Sequence, residues 1–253
     1  MQPQPDVDMH YPIKQLSQQE QEGGFWLFNV RLNNVSFSEK QGEGNFLPPP
    51  FPTIEFGCQF RFENSDHTLY LFQQNHMKQQ ATLQLLSQHP LPKNAPKCLH
   101  VTPATPAHQA MVKTCQTATH VILLGSEGHM ANLFYLAKLR SQQPNTQTLA
   151  LLHSDTTFPF KAKPARLMTP NLPPEAIGAC TLLEDWNTPN RLASQQGFAG
   201  CFEGTLETLF SDWLTQKNNN IQSNESWKVI ICAPDETQKK CLAMSQSYDW
   251  VHG

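Results

Sequence analysis

The chain has 253 residues, a formal net charge of −3 and no run of five or more Lys or Arg, which argues against a nucleic-acid partner held through its phosphate backbone. Hydrophobic residues make up 39% and charged residues 15%, enough to bury a core in one large domain or two ordinary ones. There is neither an apolar stretch of membrane-spanning length nor a basic and then apolar leader, so no membrane association is expected and the protein reads as cytoplasmic.

Residues 1–23 are polar, rich in Gln and Pro and without period, and read as a flexible N-terminal arm. Residues 24–116 read as an antiparallel β-barrel. Within it Trp26, Phe28, Val30 and Leu32 alternate with Leu27, Asn29, Arg31 and Asn33. Ile54, Phe56, Cys58, Phe60 and Phe62 alternate with Glu55, Gly57, Gln59, Arg61 and Glu63 in the same way. Such alternation puts one face on a core and the other in water. Asn64-Ser65-Asp66 predicts a turn, with Thr68–Phe72 returning as the second strand of a hairpin, and Leu83 and Leu85 mark another strand. Several short antiparallel strands with one wet face fit a small barrel. Residues 87–118 are punctuated by prolines and read as the boundary region.

Residues 117–253 change character. His120–Gly125 is an apolar run ending in Gly, as in a buried parallel strand, and Met130, Leu133, Phe134 and Ala137 form a helical stripe. Leu149–Ser154 and Trp227–Cys232 predict further strands, Arg166–Met168 a third, and Cys180–Ser194 a helix interrupted near Pro189. Leu206, Leu209, Phe210 and Trp213 predict a helix, and Asp235 with Gln238 has capping-box spacing at the start of another. Alternating strands and helices imply a doubly wound, mostly parallel sheet of the NAD-binding type.

In such a sheet ligands bind outside the carboxyl ends of the strands. The turn Gly125-Ser126-Glu127-Gly128-His129 lies there, where glycines admit a pyrophosphate and a helix N-terminus offers free N–H groups. It is equally an ordinary tight turn, and Glu127 would repel phosphate. Cys232 ends the last predicted strand, either facing a ligand or buried as a small apolar thiol. Glu184-Asp185 reads as a solvated face. His129 and His153 follow predicted strands without a visible partner, and the ten histidines show no metal-ligand spacing. The seven cysteines are odd in number and lack Cys-x-x-Cys, so neither a disulfide framework nor a structural zinc site is expected.

The second half resembles the electron-transfer subunit of dihydroorotate dehydrogenase, a ferredoxin-reductase-like flavoprotein family. The resemblance rests on Phe158-Pro159-Phe160, the run Leu172-Pro173-Pro174-Glu175-Ala176-Ile177-Gly178-Ala179, Leu182-Leu183-Glu184-Asp185-Trp186, Arg191–Phe198 and Gly200-Cys201-Phe202-Glu203-Gly204. It covers about residues 117–245, and the first half only by pattern. It implies an FAD-binding barrel, an NAD-binding domain, electron passage between NAD(H) and the flavin in pyrimidine biosynthesis, and a dihydroorotate dehydrogenase catalytic subunit as partner. It places Pro52 and Thr53 near the flavin, Gly125, Ser126 and Gly128 at the dinucleotide turn, and Cys232 and Pro234 near the nicotinamide.

The sequence departs from the family at each of these sites. Phe51-Pro52-Thr53-Ile54 lacks the flavin-motif Arg, and Asn75-His76-Met77-Lys78 replaces a glycine-rich flavin loop. Only Gly125 matches the nucleotide turn in register, and the family's Cys-Gly-Pro is Cys232-Ala233-Pro234. The cysteines of a 2Fe-2S cluster are missing, so that cluster is not expected in this chain. Three readings follow: an NAD(P)H-dependent flavin electron-transfer subunit, a non-catalytic relative serving as structural or regulatory partner subunit, and a small-molecule binding module.

Overall fold

In the computed structural model the described residues are 9–32, 54, 56–77, 80–221 and 225–253. The first half holds six strands: β1 (Met9–Glu20), β2 (Trp26–Leu32), β3 (Gln59–Phe62), β4 (Tyr70–Met77), β5 (Gln80–Ser87) and β6 (Cys98–Thr102). Their order is β3-β6-β1-β2-β5-β4 and every pair is antiparallel. A single bridge, Phe60 to Leu69, brings the two ends of the sheet together. The alternation read at Trp26–Leu32 is real: Phe28, Val30 and Leu32 enter a core with Phe60, Phe62, Leu71, Leu83, Leu85, Leu99 and Val101.

Two expectations fail in this half. Residues 9–20 are not a flexible arm but β1, paired on one side with β6 and on the other with β2. Its Gln and Ser side chains face water while Tyr11 enters the core with Met9, Ile13 and Leu16 beside it. A sheet ladder runs through the backbone, so a polar strand pairs as well as an apolar one. The hairpin expected over 54–72 is reduced to the antiparallel bridge between Phe60 and Leu69, with a turn at Ser65. Beyond that bridge β3 pairs with β6 and β4 with β5. Asn75–Met77, which stand where the family has its glycine-rich flavin loop, continue β4.

The boundary region also holds more structure than its prolines suggest, namely β6 and the helix α1 (Pro106–Thr117). Pro106 opens α1, where a missing N–H costs nothing, and Thr105 and His108 form a reciprocal cap.

The second half follows as β7 (His120–Ser126), α2 (Met130–Arg140), β8 (Gln147–His153), β9 (Lys163–Pro164), β10 (Gly178–Ala179), α3 (Thr181–Asp185), β11 (Asn190–Ser194), β12 (Phe202–Glu203), α4 (Leu206–Asn218), β13 (Trp227–Cys232), α5 (Asp235–Ser245) and β14 (Val251–His252). The main sheet has the order β12-β11-β8-β7-β13-β14 and is parallel throughout. Both faces are covered, which is why the strands read as unbroken apolar runs. Val121 and Leu123 pack on α2 through Leu133 and Phe134. Ile122 and Leu124 pack on α4 through Leu209, Phe210 and Trp213. Arg140 is buried at the end of α2, where its guanidinium donates to the carbonyls of Cys115, Ala118, Thr119 and Gln147 and to Thr148 Oγ1. It ties α2 to the entry of β7 and β8.

Three predicted elements change here. Arg166–Met168 forms no strand, because the Arg166 and Leu167 N–H groups donate to Glu184 Oε1 at 2.7 and 2.9 Å. Glu184 is therefore no solvated residue. Burial raises its pKa, but these N–H groups and the Arg166 guanidinium, 3.0 Å away, outweigh that and hold its carboxyl below the usual range. The helix expected over Cys180–Ser194 stops at Asp185. Asn187 takes φ 54°, a left-handed helix terminator, and Asn190 starts the fully buried strand β11. Asp235 does not cap α5: Pro234 holds the cap position, and Gln238 donates to the Ala233 carbonyl. Asp235 and Glu236 instead sit in the first turn, where the helix dipole favours them.

Candidate functional site at the switch point

The strand order reverses between β7 and β13, so the ligand position of this fold lies beyond their carboxyl ends. Gly125, Ser126 and Gly128 lie there on or just after β7, with Cys232 and Pro234 at the end of β13, and Cys232 is the register partner of Gly125. Pro52 and Thr53 lie outside the described residues.

The turn after β7 is not shaped as a phosphate cradle. A Cβ on Gly128 would fall 2.5 Å from Tyr70 Cε2, so a barrel tyrosine takes the space that a bare backbone would offer a ligand. A Cβ on Gly125 would fall 2.7 Å from Leu133 Cδ1, so this glycine serves strand-to-helix packing. Between them Glu127 adopts φ 51°. Its Oε1 accepts the N–H of Asp155 at 2.7 Å, and its Oε2 lies 3.2 Å from Ser154 Oγ. A carboxylate of the chain itself thus takes up donors at the end of β8. At this turn a pyrophosphate would meet the Glu127 carboxylate and the Tyr70 ring.

Cys232 is buried among apolar neighbours, and burial drives its thiol far above the ordinary range, leaving a neutral group. Pro234 is exposed. His153, expected without a visible partner, stands between two groups: Ser126 Oγ makes a 3.3 Å hydrogen bond with its Nδ1, and Asp155 Oδ1 lies 3.1 Å from its Nε2. Parallel register sets Ser126 beside His153, a proximity across 27 residues that no local spacing displays.

The barrel closes directly onto this edge. Tyr70 packs on His129, Phe72 on Phe134, and Phe56 stacks on Tyr135 with His108 at its edge. Gln74 Nε2 donates to the Tyr135 hydroxyl at 3.0 Å. Burial lowers the pKa of His129, against a smaller opposing pull from Asp235, and burial likewise lowers that of His108. Between barrel and sheet domain remains an apolar cavity of about 260 Å³, lined among others by Leu27, Phe72, Leu86, Phe134, Phe160 and Leu182. Another cavity, of about 350 Å³, opens at the opposite edge of the sheet beside Thr146, Thr148, Asn171 and Lys217.

No protein-family model matches the sequence, and no curated protein is similar to it in sequence. Solved structures are similar in fold. A mutant ferredoxin-NADP+ reductase from Plasmodium falciparum with 2'P-AMP matches at 9% identity and a TM-score of 0.54, over 97% of this chain and 96% of that one. The ferredoxin reductase in carbazole 1,9a-dioxygenase, in its FAD apo form, matches at 11% identity and a TM-score of 0.52, over 98% of this chain and 67% of that one. Among the described residues no helix is long and apolar enough to cross a membrane. Strand order, barrel and parallel sheet together give this chain the ferredoxin-reductase-like fold: an antiparallel barrel followed by a Rossmann-like domain.

Proposed function

We propose that this chain is a non-catalytic partner subunit of ferredoxin-reductase fold, acting by protein contact beside a dihydroorotate dehydrogenase catalytic subunit in cytoplasmic pyrimidine biosynthesis. The observation that carries this reading is Glu127, whose carboxylate occupies the dinucleotide turn and is already engaged by Asp155 N–H. Tyr70 against Gly128 and the burial of Cys232 support it. The partner comes from the sequence resemblance over residues 158–204.

A second reading is NAD(P)H-dependent electron transfer through FAD. The apolar cavity between barrel and sheet domain favours it, since flavin rings take apolar walls.

The visible spectrum of the purified protein, before and after NADH, separates the two. The first reading expects no flavin band, including after incubation with FAD and desalting, together with co-purification of the catalytic subunit. A flavin band that bleaches with NADH would overturn it and establish the second.

A further inference from the structure

The edge that does not suit a phosphate carries the donors of a cation site. Glu127 stands just after β7, His153 ends β8 and Asp155 follows it. One ligand atom from each lies within 4.8 Å of the others. His153 is only 6% exposed, and its Nε2 forms no hydrogen bond among the described residues. Asp155 Oδ1 lies 3.1 Å from it without making a hydrogen bond. A buried imidazole nitrogen without a hydrogen bond is costly and calls for an occupant.

The ring is also held. Ser126 Oγ lies beside Nδ1 and Nε2 lies 3.1 Å from Asp155 Oδ1, the arrangement in which an outer partner orients a metal-binding histidine. Asp155 N–H holds Glu127 Oε1 in the same way. We propose that Glu127, His153 and Asp155 bind one divalent cation of the zinc or manganese class. One imidazole nitrogen with two carboxylate oxygens suits such ions, whereas calcium and magnesium prefer oxygen alone. A tetrahedral ion about 2.0–2.2 Å from each ligand needs donors about 3.3–3.6 Å apart. The donors now lie within 4.8 Å of one another, so binding would draw them together. Three protein ligands leave a position open for water or an oxygen ligand.

The test is calorimetric titration of the chelator-treated full chain with zinc chloride and, separately, manganese chloride. The expected result is one cation per chain, with affinity reduced roughly tenfold or more in Asp155→Asn and binding lost in His153→Ala. Asp155 is exposed, so its variant keeps the fold and the test stands even where His153→Ala does not fold. An absence of saturable binding overturns the proposal. So does binding unchanged in Asp155→Asn, which would place the ion elsewhere, for instance at the stacked pair His67 and His89. Neither result depends on whether NADH or a flavin binds.

Discussion

The backbone N–H of Asp155 reaches 2.7 Å across to the Glu127 carboxylate and so fastens the end of β8 to the turn after β7. Glu127 holds that position with φ 51°, a left-handed conformation that costs a non-glycine residue about 1–2 kcal/mol. Glu127→Ala removes the charged acceptor and retains the strain, so it should destabilise the protein by about 1.5–3 kcal/mol. Glu127→Gly removes both and should be milder by about 1 kcal/mol. Urea denaturation of the two variants measures the difference; equal midpoints would mean that the turn stores no strain.

Tyr70 and Gly128 form a coupled pair. Gly128→Ala would drive a methyl into the tyrosine ring and should cost about 1–3 kcal/mol through overpacking. In a Tyr70→Ala background the same change should cost less, and a double-mutant cycle reads the coupling directly. Additive effects would show that the barrel does not press on this turn.

Acid should loosen the seam between barrel and sheet domain. Burial lowers the folded-state pKa of both His108 and His129, so each is neutral when folded and must gain a proton on unfolding. Their contribution is therefore present above the ordinary histidine pKa of about 6.5 and is lost as pH falls through the lower folded values. His108 Nδ1 also accepts the Thr105 N–H at 3.3 Å, a cap that a protonated ring cannot keep. Thermal melts at descending pH from 7.5 should show a falling Tm, with a shallower slope in His108→Gln. A wild-type Tm that is flat over this window would contradict the assignment.

Arg140→Met takes the buried guanidinium from four carbonyls, of which Thr119 O keeps the Gln147 N–H, and should destabilise the fold by roughly 1–3 kcal/mol or more. Far-UV circular dichroism melts would detect it; a loss below about 1 kcal/mol would mean that the carbonyls find other partners.

The parallel strands were legible because burial on both faces leaves an apolar run that nothing else explains, as at Val121–Leu124. The strand β1 was not, because its outward Gln and Ser side chains imitate a disordered tail while its backbone does the pairing. Arg166–Met168 misled for the opposite reason: an apolar pattern is present, but Glu184 captures the N–H groups a strand would use. At the site, Glu127 was visible as an unwelcome carboxylate in a glycine turn. Its relation to His153 and Asp155 was hidden, because parallel register and not sequence spacing joins them. Tyr70 was hidden for the same reason, since it approaches Gly128 from the other domain.

The central position of β1 bears on how the molecule is assembled. Because Met9–Pro12 pair with Cys98–Val101, the barrel cannot close until the sixth strand has left the ribosome, and the first strand must wait for it. Deleting residues 9–20 would not trim a tail. It would split the sheet into a β2-β5-β4 ribbon and a β3-β6 ribbon joined by one bridge, with raw strand edges open to aggregation.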